Sequence, residues 1–133
     1  MKSRTPFAYI WAFPSTAPGL IVGCFALLSG GKLQIKNGVL EFYGGFAQWI
    51  LKHPSIGAKA MTLGHVVLGQ NAKYLHDNRP HEHAHVDQAE VLGPFFIPAY
   101  LTASFWAFIQ GLDYYEDNWF ERDADNRSKK YQE

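Results

Sequence analysis

The uncharged run from Thr5 to Gly31 constrains this chain more than any other feature. A helix needs about 20 apolar residues to cross the hydrocarbon of a bilayer, and this run is long enough. A second uncharged run, Val91 to Leu112, meets the same test. In a chain of 133 residues, two such stretches leave little room for a soluble surface. The expectation is an α+β, membrane-associated protein of one domain, residues 1–133. It holds a membrane segment over 5–31, a small unit over 32–125 and a polar tail over 126–133. Pro14 and Pro18 interrupt the first run and predict a broken helix, its second piece running from about Pro18 to Leu28. Lys2 and Arg4 precede the run and Lys32 and Lys36 follow it, so flanking charge gives little orientation. Ile21-Val22-Gly23-Cys24 resembles a lipoprotein cleavage site, which makes a signal peptide with a lipidated Cys24 the rival reading. The apolar run continues to Leu28, which favours a retained segment.

Composition removes several classes of function. Twelve basic and twelve acidic residues cancel, and with no basic patch the chain is not expected to bind nucleic acid. One cysteine excludes an internal disulfide and a cysteine-based zinc site. Aromatics make up 16% of the chain, which suits either a membrane interface or a small aromatic core.

The chemistry concentrates in His81-Glu82-His83-Ala84-His85. On a helix, positions i and i+4 share a face, so His81 and His85 can both turn an imidazole to one metal ion. Two histidines, a carboxylate and a water satisfy Zn²⁺. Glu82, beside that water, is placed to act as general base. His83 points away from the pair. Downstream, Glu121 and Asp125 have the same i, i+4 spacing. Glu121 is the candidate third ligand, and Asp125 the candidate acceptor for the outer N–H of a ligand histidine.

Flanking elements frame this motif. Asn37-Gly38 between Lys32–Lys36 and Val39–Tyr43 is a strong hairpin signal. Phe46–Leu51 reads as a strand or a short helical turn. Ala60–Gln70 reads as a third strand, making a short antiparallel sheet of hairpin plus edge strand. His65 on it is a core histidine or a substrate contact. Asn78 and Pro80 mark the start of a motif helix that runs to about Leu92, and a further helix lies around Trp119–Asn126.

His81-Glu82-His83-Ala84-His85 followed by Glu121-Arg122-Asp123-Ala124-Asp125 resembles the gluzincin metallopeptidases, whose pattern is H-E-x-x-H and then E-x-x-x-D. The shortness of the chain resembles their minimal members, the minigluzincins. Thr62–Gly69 and Leu92-Gly93-Pro94-Phe95 resemble small bacterial membrane-associated proteins of this kind, which points to a bacterial inner membrane. The resemblance covers roughly residues 60–125. It implies that the strand before the active helix, here Leu63–Leu68, pairs with an extended substrate, so that Leu63, His65 and Val67 would face it. It also implies a residue steadying the oxyanion, for which Tyr100, Tyr114 and Tyr115 are candidates.

Topology limits the site. If Val91–Leu112 crossed a bilayer, His81 and His85 would lie on one side and Glu121 on the other. A shared metal therefore requires a non-spanning course, bent near Pro98 and Gly111 with Asp113–Asn118 as the return. Two functions follow. One is a membrane-bound zinc metallopeptidase acting on a peptide or protein substrate. The other is a non-catalytic membrane subunit that keeps this fold as a scaffold among the protein subunits of a larger complex.

Overall fold

In the computed structural model, residues 4–132 apart from residue 55 are described, with side chains to residue 129. Lys2 and Glu133 lie outside the described residues. The chain runs α1 (Pro6–Leu28), β1 (Lys32–Lys36), β2 (Val39–Tyr43), α2 (Gly45–Lys52), β3 (Ala60–Leu63), β4 (Val66–Gly69) and α3 (Ala72–Leu92). A single 3₁₀ turn over Gly93–Phe95 leads into α4 (Phe96–Ile109), and α5 (Trp119–Gln132) closes the fold. The class is α+β. Phe46–Leu51, open to two readings by sequence, is helical.

The hairpin forms as its turn residues dictate. Asn37 and Gly38 take φ of 53° and 76°, the two positive values a type I′ turn needs. The sheet is mixed, where an antiparallel one was expected. Its order is β1-β2-β4-β3, and β2 and β4 run parallel with Leu40 opposite Val66. Ala60–Gln70 is two strands, because the chain reverses at Gly64, φ 61°. The His65 N–H donates to Thr16 Oγ1 at 3.0 Å, holding that turn against α1. Of Leu63–Leu68 only Leu63, the last residue of β3, therefore lies in an edge strand. β4 is interior, with Val67 facing Glu41 on one side and Thr62 on the other, and β1 and β3 are the two edges of the sheet.

Period-two alternation sends the strand side chains to opposite layers. Phe42, Val66 and Leu68 join Ala26, Ala47 and Leu51 in one core, with Met61 and Leu63 against it. Val39 and Val67 meet Leu75 and Val86 of α3 in the other. So α1 and α2 cover one face of the sheet and α3 the opposite face.

α1 is a single helix, not the broken one expected from Pro14 and Pro18. Both prolines lie on its exposed side. Its opposite side is a stripe of small residues, Ala12, Ser15, Thr16, Gly19, Gly23 and Ala26, all buried. A Cβ at Gly23 would come within 2.6 Å of the Phe42 ring, so the helix backbone lies directly on the sheet. That packing holds the helix through a local proline cost of about 3 kcal/mol. The outer side exposes Phe7, Ile10, Phe13, Ile21, Phe25 and Leu28.

α3 also runs through its proline. It begins seven residues before the expected Asn78 cap, where Asn71 Oδ1 accepts the Tyr74 N–H at 2.8 Å. Asn78 instead donates Nδ2 to the Tyr74 carbonyl at 2.8 Å. The helix ends at Gly93, φ 57°, which is one bend, and Gly111, φ 77°, follows the end of α4 as the other, the one expected there; Pro98 sits in the first turn of α4. Asp113–Asn118 forms the return as expected, with Asp113 Oδ1 accepting the Tyr115 and Glu116 N–H groups at 2.8 and 2.7 Å. α5 then continues to Gln132, past the point where a polar tail was expected. Pro6–Leu28 and Ala72–Ile109 are both long and apolar enough to cross a membrane by length and composition.

Two buried polar networks fasten α3 to its surroundings. The side chain of Arg4, expected as a flanking charge, is buried and pairs with Asp87 and Glu90 at 3.1 and 3.0 Å, while Glu90 also meets His65 Nε2 at 2.8 Å. In the second, Glu41 of β2 is fully buried. Arg79 donates to both of its oxygens, Nη2 at 2.9 Å and Nε at 3.0 Å. His83 Nε2 and Gln34 Nε2 each add a bond at 2.9 Å. Burial pushes the Glu41 pKa up, but the bonds from His83, Arg79 and Gln34 outweigh it and hold the group down at about 2, from 4.5. A depressed carboxylate stabilises the fold above its unfolded pKa, and that stability is lost as pH falls through the folded one. Melting temperature should therefore drop between about pH 4.5 and about pH 2, and drop less in Glu41→Gln. At neutral pH, Glu41→Ala should cost about 3–5 kcal/mol in denaturant unfolding, because Arg79 and His83 lose a buried partner.

Candidate metal centre

The motif helix brings its two outer histidines to one point. His81 and His85 lie one turn apart on the side of α3 that meets α5, their rings 4.9 Å apart and nearly perpendicular. Glu121, in the first turn of α5, reaches between them. Its Oε1 lies 2.8 Å from His81 Nε2 and 2.9 Å from His85 Nε2. One donor atom from each of the three residues falls within 4.8 Å of the others.

The outer ring nitrogens are also engaged. His81 Nδ1 lies 2.8 Å from Asp125 Oδ1. His85 Nδ1 lies 2.8 Å from Gln88 Oε1. The Gln88 amide nitrogen donates to the Phe120 carbonyl and to Asp123 Oδ2, both at 2.9 Å, which leaves its oxygen to face the ring. Both histidines thus spend an Nδ1–H on an acceptor, and a neutral ring then presents its Nε2 lone pair toward Glu121. Two Nε2 lone pairs and a carboxylate oxygen at one point need a proton or a cation between them. These three donors could hold a metal ion.

Burial lowers the pKa of both imidazoles, but the bond to Glu121 outweighs it and raises them, His85 to about 9, so protons meet that need. Burial raises the Glu121 pKa, yet the bonds from His81 and His85 overcome it and hold the group well below the carboxylate range. The Tyr100 hydroxyl donates to Glu121 Oε2 and steadies the carboxylate from behind. Burial, then the charges of Glu121 and Glu82, push the Tyr115 phenol above its usual range and keep it a neutral donor.

Glu82 is buried and turned toward β3. Thr62 Oγ1 lies 2.6 Å from Glu82 Oε1 and 3.1 Å from the Glu82 carbonyl, so the edge strand orients the carboxylate. Beside it a cleft opens. Glu82, His85, Glu121, Tyr100 and Tyr115 line it together with Thr62 and Leu63 of β3. The α5 start that carries Glu121 is set by Asn118. Its Nδ2 donates to the Tyr100 carbonyl at 3.1 Å and to Ser104 Oγ at 2.9 Å, while its Oδ1 accepts the Phe120 N–H at 2.8 Å.

The sequence-predicted residues divide cleanly. His81, His85, Glu121 and Asp125 converge, with Glu82, Tyr100, Tyr115 and Leu63 around the cleft. Tyr114 is exposed and lines only a second, more polar lobe. His65 and Val67 do not reach the cleft. His65 is buried against Glu90 and the Tyr9 ring, where burial lowers its pKa against the pull of Glu90. Val67 is buried within the sheet, so neither lines the cleft. His83, which points away from the pair, is bound to Glu41; neither it nor His65 supplies a fourth ligand. Thr62, Asn118 and Glu41 were missed. Gln88 shares the helix face of His81 and His85 by spacing, but that spacing assigns it no role. No protein-family model matches the chain, and no curated protein and no solved structure matches it either.

Proposed function

We propose that this protein is a membrane-bound zinc metallopeptidase. The observation that carries the reading is a three-donor site, His81, His85 and Glu121, open on the side where a second carboxylate, Glu82, lines a cleft. Structural zinc sites close with four protein ligands, whereas catalytic ones hold three and leave one place for water. A bound zinc ion would polarise the scissile carbonyl and lower the pKa of that water. Glu82, oriented by Thr62, takes the water proton and passes it to the leaving amine. The Tyr115 phenol faces the cleft as a neutral donor for the developing oxyanion, while Tyr100 holds Glu121 in place. The free edge of β3 aligns an extended peptide by strand addition.

The test is zinc-loaded protein in detergent or vesicles, mixed with a broad peptide library and read by mass spectrometry. New termini that appear with zinc and vanish with chelator support the reading, and an uncut library overturns it. The exposed aromatic faces of α1 and α4 favour a second reading, a scaffold subunit among protein partners in a membrane complex, and the uncut library would favour it.

Membrane attachment rests on the same faces. Phe105, Trp106, Phe108 and Ile109 of α4 are all about 60% exposed, as are Ile10 and Ile21 of α1 or more so. Exposed apolar area of that extent suits lipid better than water. The protein is expected in the membrane pellet after carbonate wash, and full recovery in the soluble fraction would contradict it.

A further inference from the structure

We infer that the substrate is a polypeptide cut where a polar segment meets an apolar, membrane-seated one. This deepens the peptidase reading and rests on it. The cleft has two lobes that meet at Ile56, Ala58, Ala60, Glu82 and Tyr115. One lobe, of about 250 Å³, is walled by Met61, Leu63, Phe96, Ile97 and Leu101. The other, of about 570 Å³, is the more polar of the two and adds Lys59, Asn78, His81 and Asp125 to the shared wall. Glu82, the proton carrier, stands at the junction. The free edge of β3 runs past both lobes, from Ala60 to Leu63. Four extended residues span roughly 13 Å at about 3.3 Å each, so one bound strand reaches from the polar lobe to the apolar one.

The apolar lobe also leads outward. Leu101 forms part of its wall and is itself 60% exposed. Phe105 and Phe108 follow at i+4 and i+7, on the same side of α4 and equally exposed. The wall of the lobe is thus continuous with the face that suits lipid. A wholly polar peptide leaves this lobe wet, and a wholly apolar one must desolvate Lys59 and Asp125. A chain leaving the membrane satisfies both lobes at once.

The experiment uses the full-length zinc-loaded protein in lipid vesicles with two substrates. Both carry one cleavable sequence, polar on one side and apolar on the other, and only one continues into a hydrophobic anchoring helix in the same vesicles. The anchored substrate is expected to be cut at least about tenfold faster, the order of gain from burying one large apolar side chain. Leu101→Glu should reduce that cleavage by about the same factor while keeping its zinc. A photoreactive apolar side chain in the anchored substrate should crosslink to α4 in Glu82→Gln, a readout that needs no turnover. Equal cleavage of the two substrates, or crosslinks confined to the polar lobe, overturns the inference and leaves the peptidase standing. Crosslinks to α4 without cleavage by the wild type support the binding surface and remove the peptidase.

Discussion

His85→Ala is expected to abolish the binding of one equivalent of zinc that the wild type retains through purification without chelator. The argument is one of donors. Gln88 fixes its amide by giving both of its N–H bonds to α5, so its oxygen accepts from His85 Nδ1. Once its proton leaves, His85 Nε2 offers a lone pair, and His81 Nε2 meets the same carboxylate oxygen. Removing His85 deletes one of three protein ligands and leaves Glu121 with one histidine. Loss of a mere supporting partner typically weakens metal binding about 10–100-fold, so loss of the ligand should exceed this. Gln88→Leu is the graded companion, expected within that 10–100-fold range. Affinity should also fall with pH, because any proton on either Nε2 must leave before the metal enters, and binding should release protons to the buffer. Metal analysis after dialysis and titration calorimetry at two pH values read these outcomes. Wild-type protein that is metal-free and refuses added zinc removes the site.

Much of this site was legible because helical spacing is local. His81 and His85 share a face of any helix, as do Glu121 and Asp125, and the requirement that they meet demanded a bend between them. The places of the bends were half read. Gly111, φ 77°, ends α4 as expected, but Pro98 sits harmlessly in the first turn of that helix, and Gly93 takes the positive φ that turns the chain before it. The same error, reading proline as a break, affected α1 and α3. In both, packing on the sheet outweighs the missing hydrogen bond, and that packing is long-range. Strand pairing failed for a related reason. β2 and β4 are parallel neighbours across α2 and β3, and nothing local in Val66–Gly69 announces its distant partner. Thr62 and Glu41 were invisible because their meaning lies in contacts 20 and 42 residues away, with Glu82 and His83.

Glu82→Gln is expected to keep the zinc and lose the peptidase activity, the second large effect. Glu82 is not among the three residues whose donor atoms converge, so its substitution leaves the ligand set whole. Glutamine matches the carboxylate in shape and keeps an oxygen for the Thr62 hydroxyl, which lies 2.6 Å from Glu82 Oε1 in the native protein. What it lacks is the capacity to take a proton from water and return it to the leaving amine. General base catalysis contributes about 10²–10⁴-fold, and the fall should lie in that range. It should appear in kcat with KM nearly unchanged, since the β3 edge and both lobes of the cleft are untouched. Thr62→Val gives the contrasting case. The carboxylate remains but loses the hydroxyl that orients it, so activity should drop less than in Glu82→Gln and Thr62→Ser should recover most of it. Unchanged turnover in Glu82→Gln would leave the carboxylate without a catalytic role. Loss of zinc in that variant would instead make Glu82 a ligand and close the open position on which the peptidase reading stands.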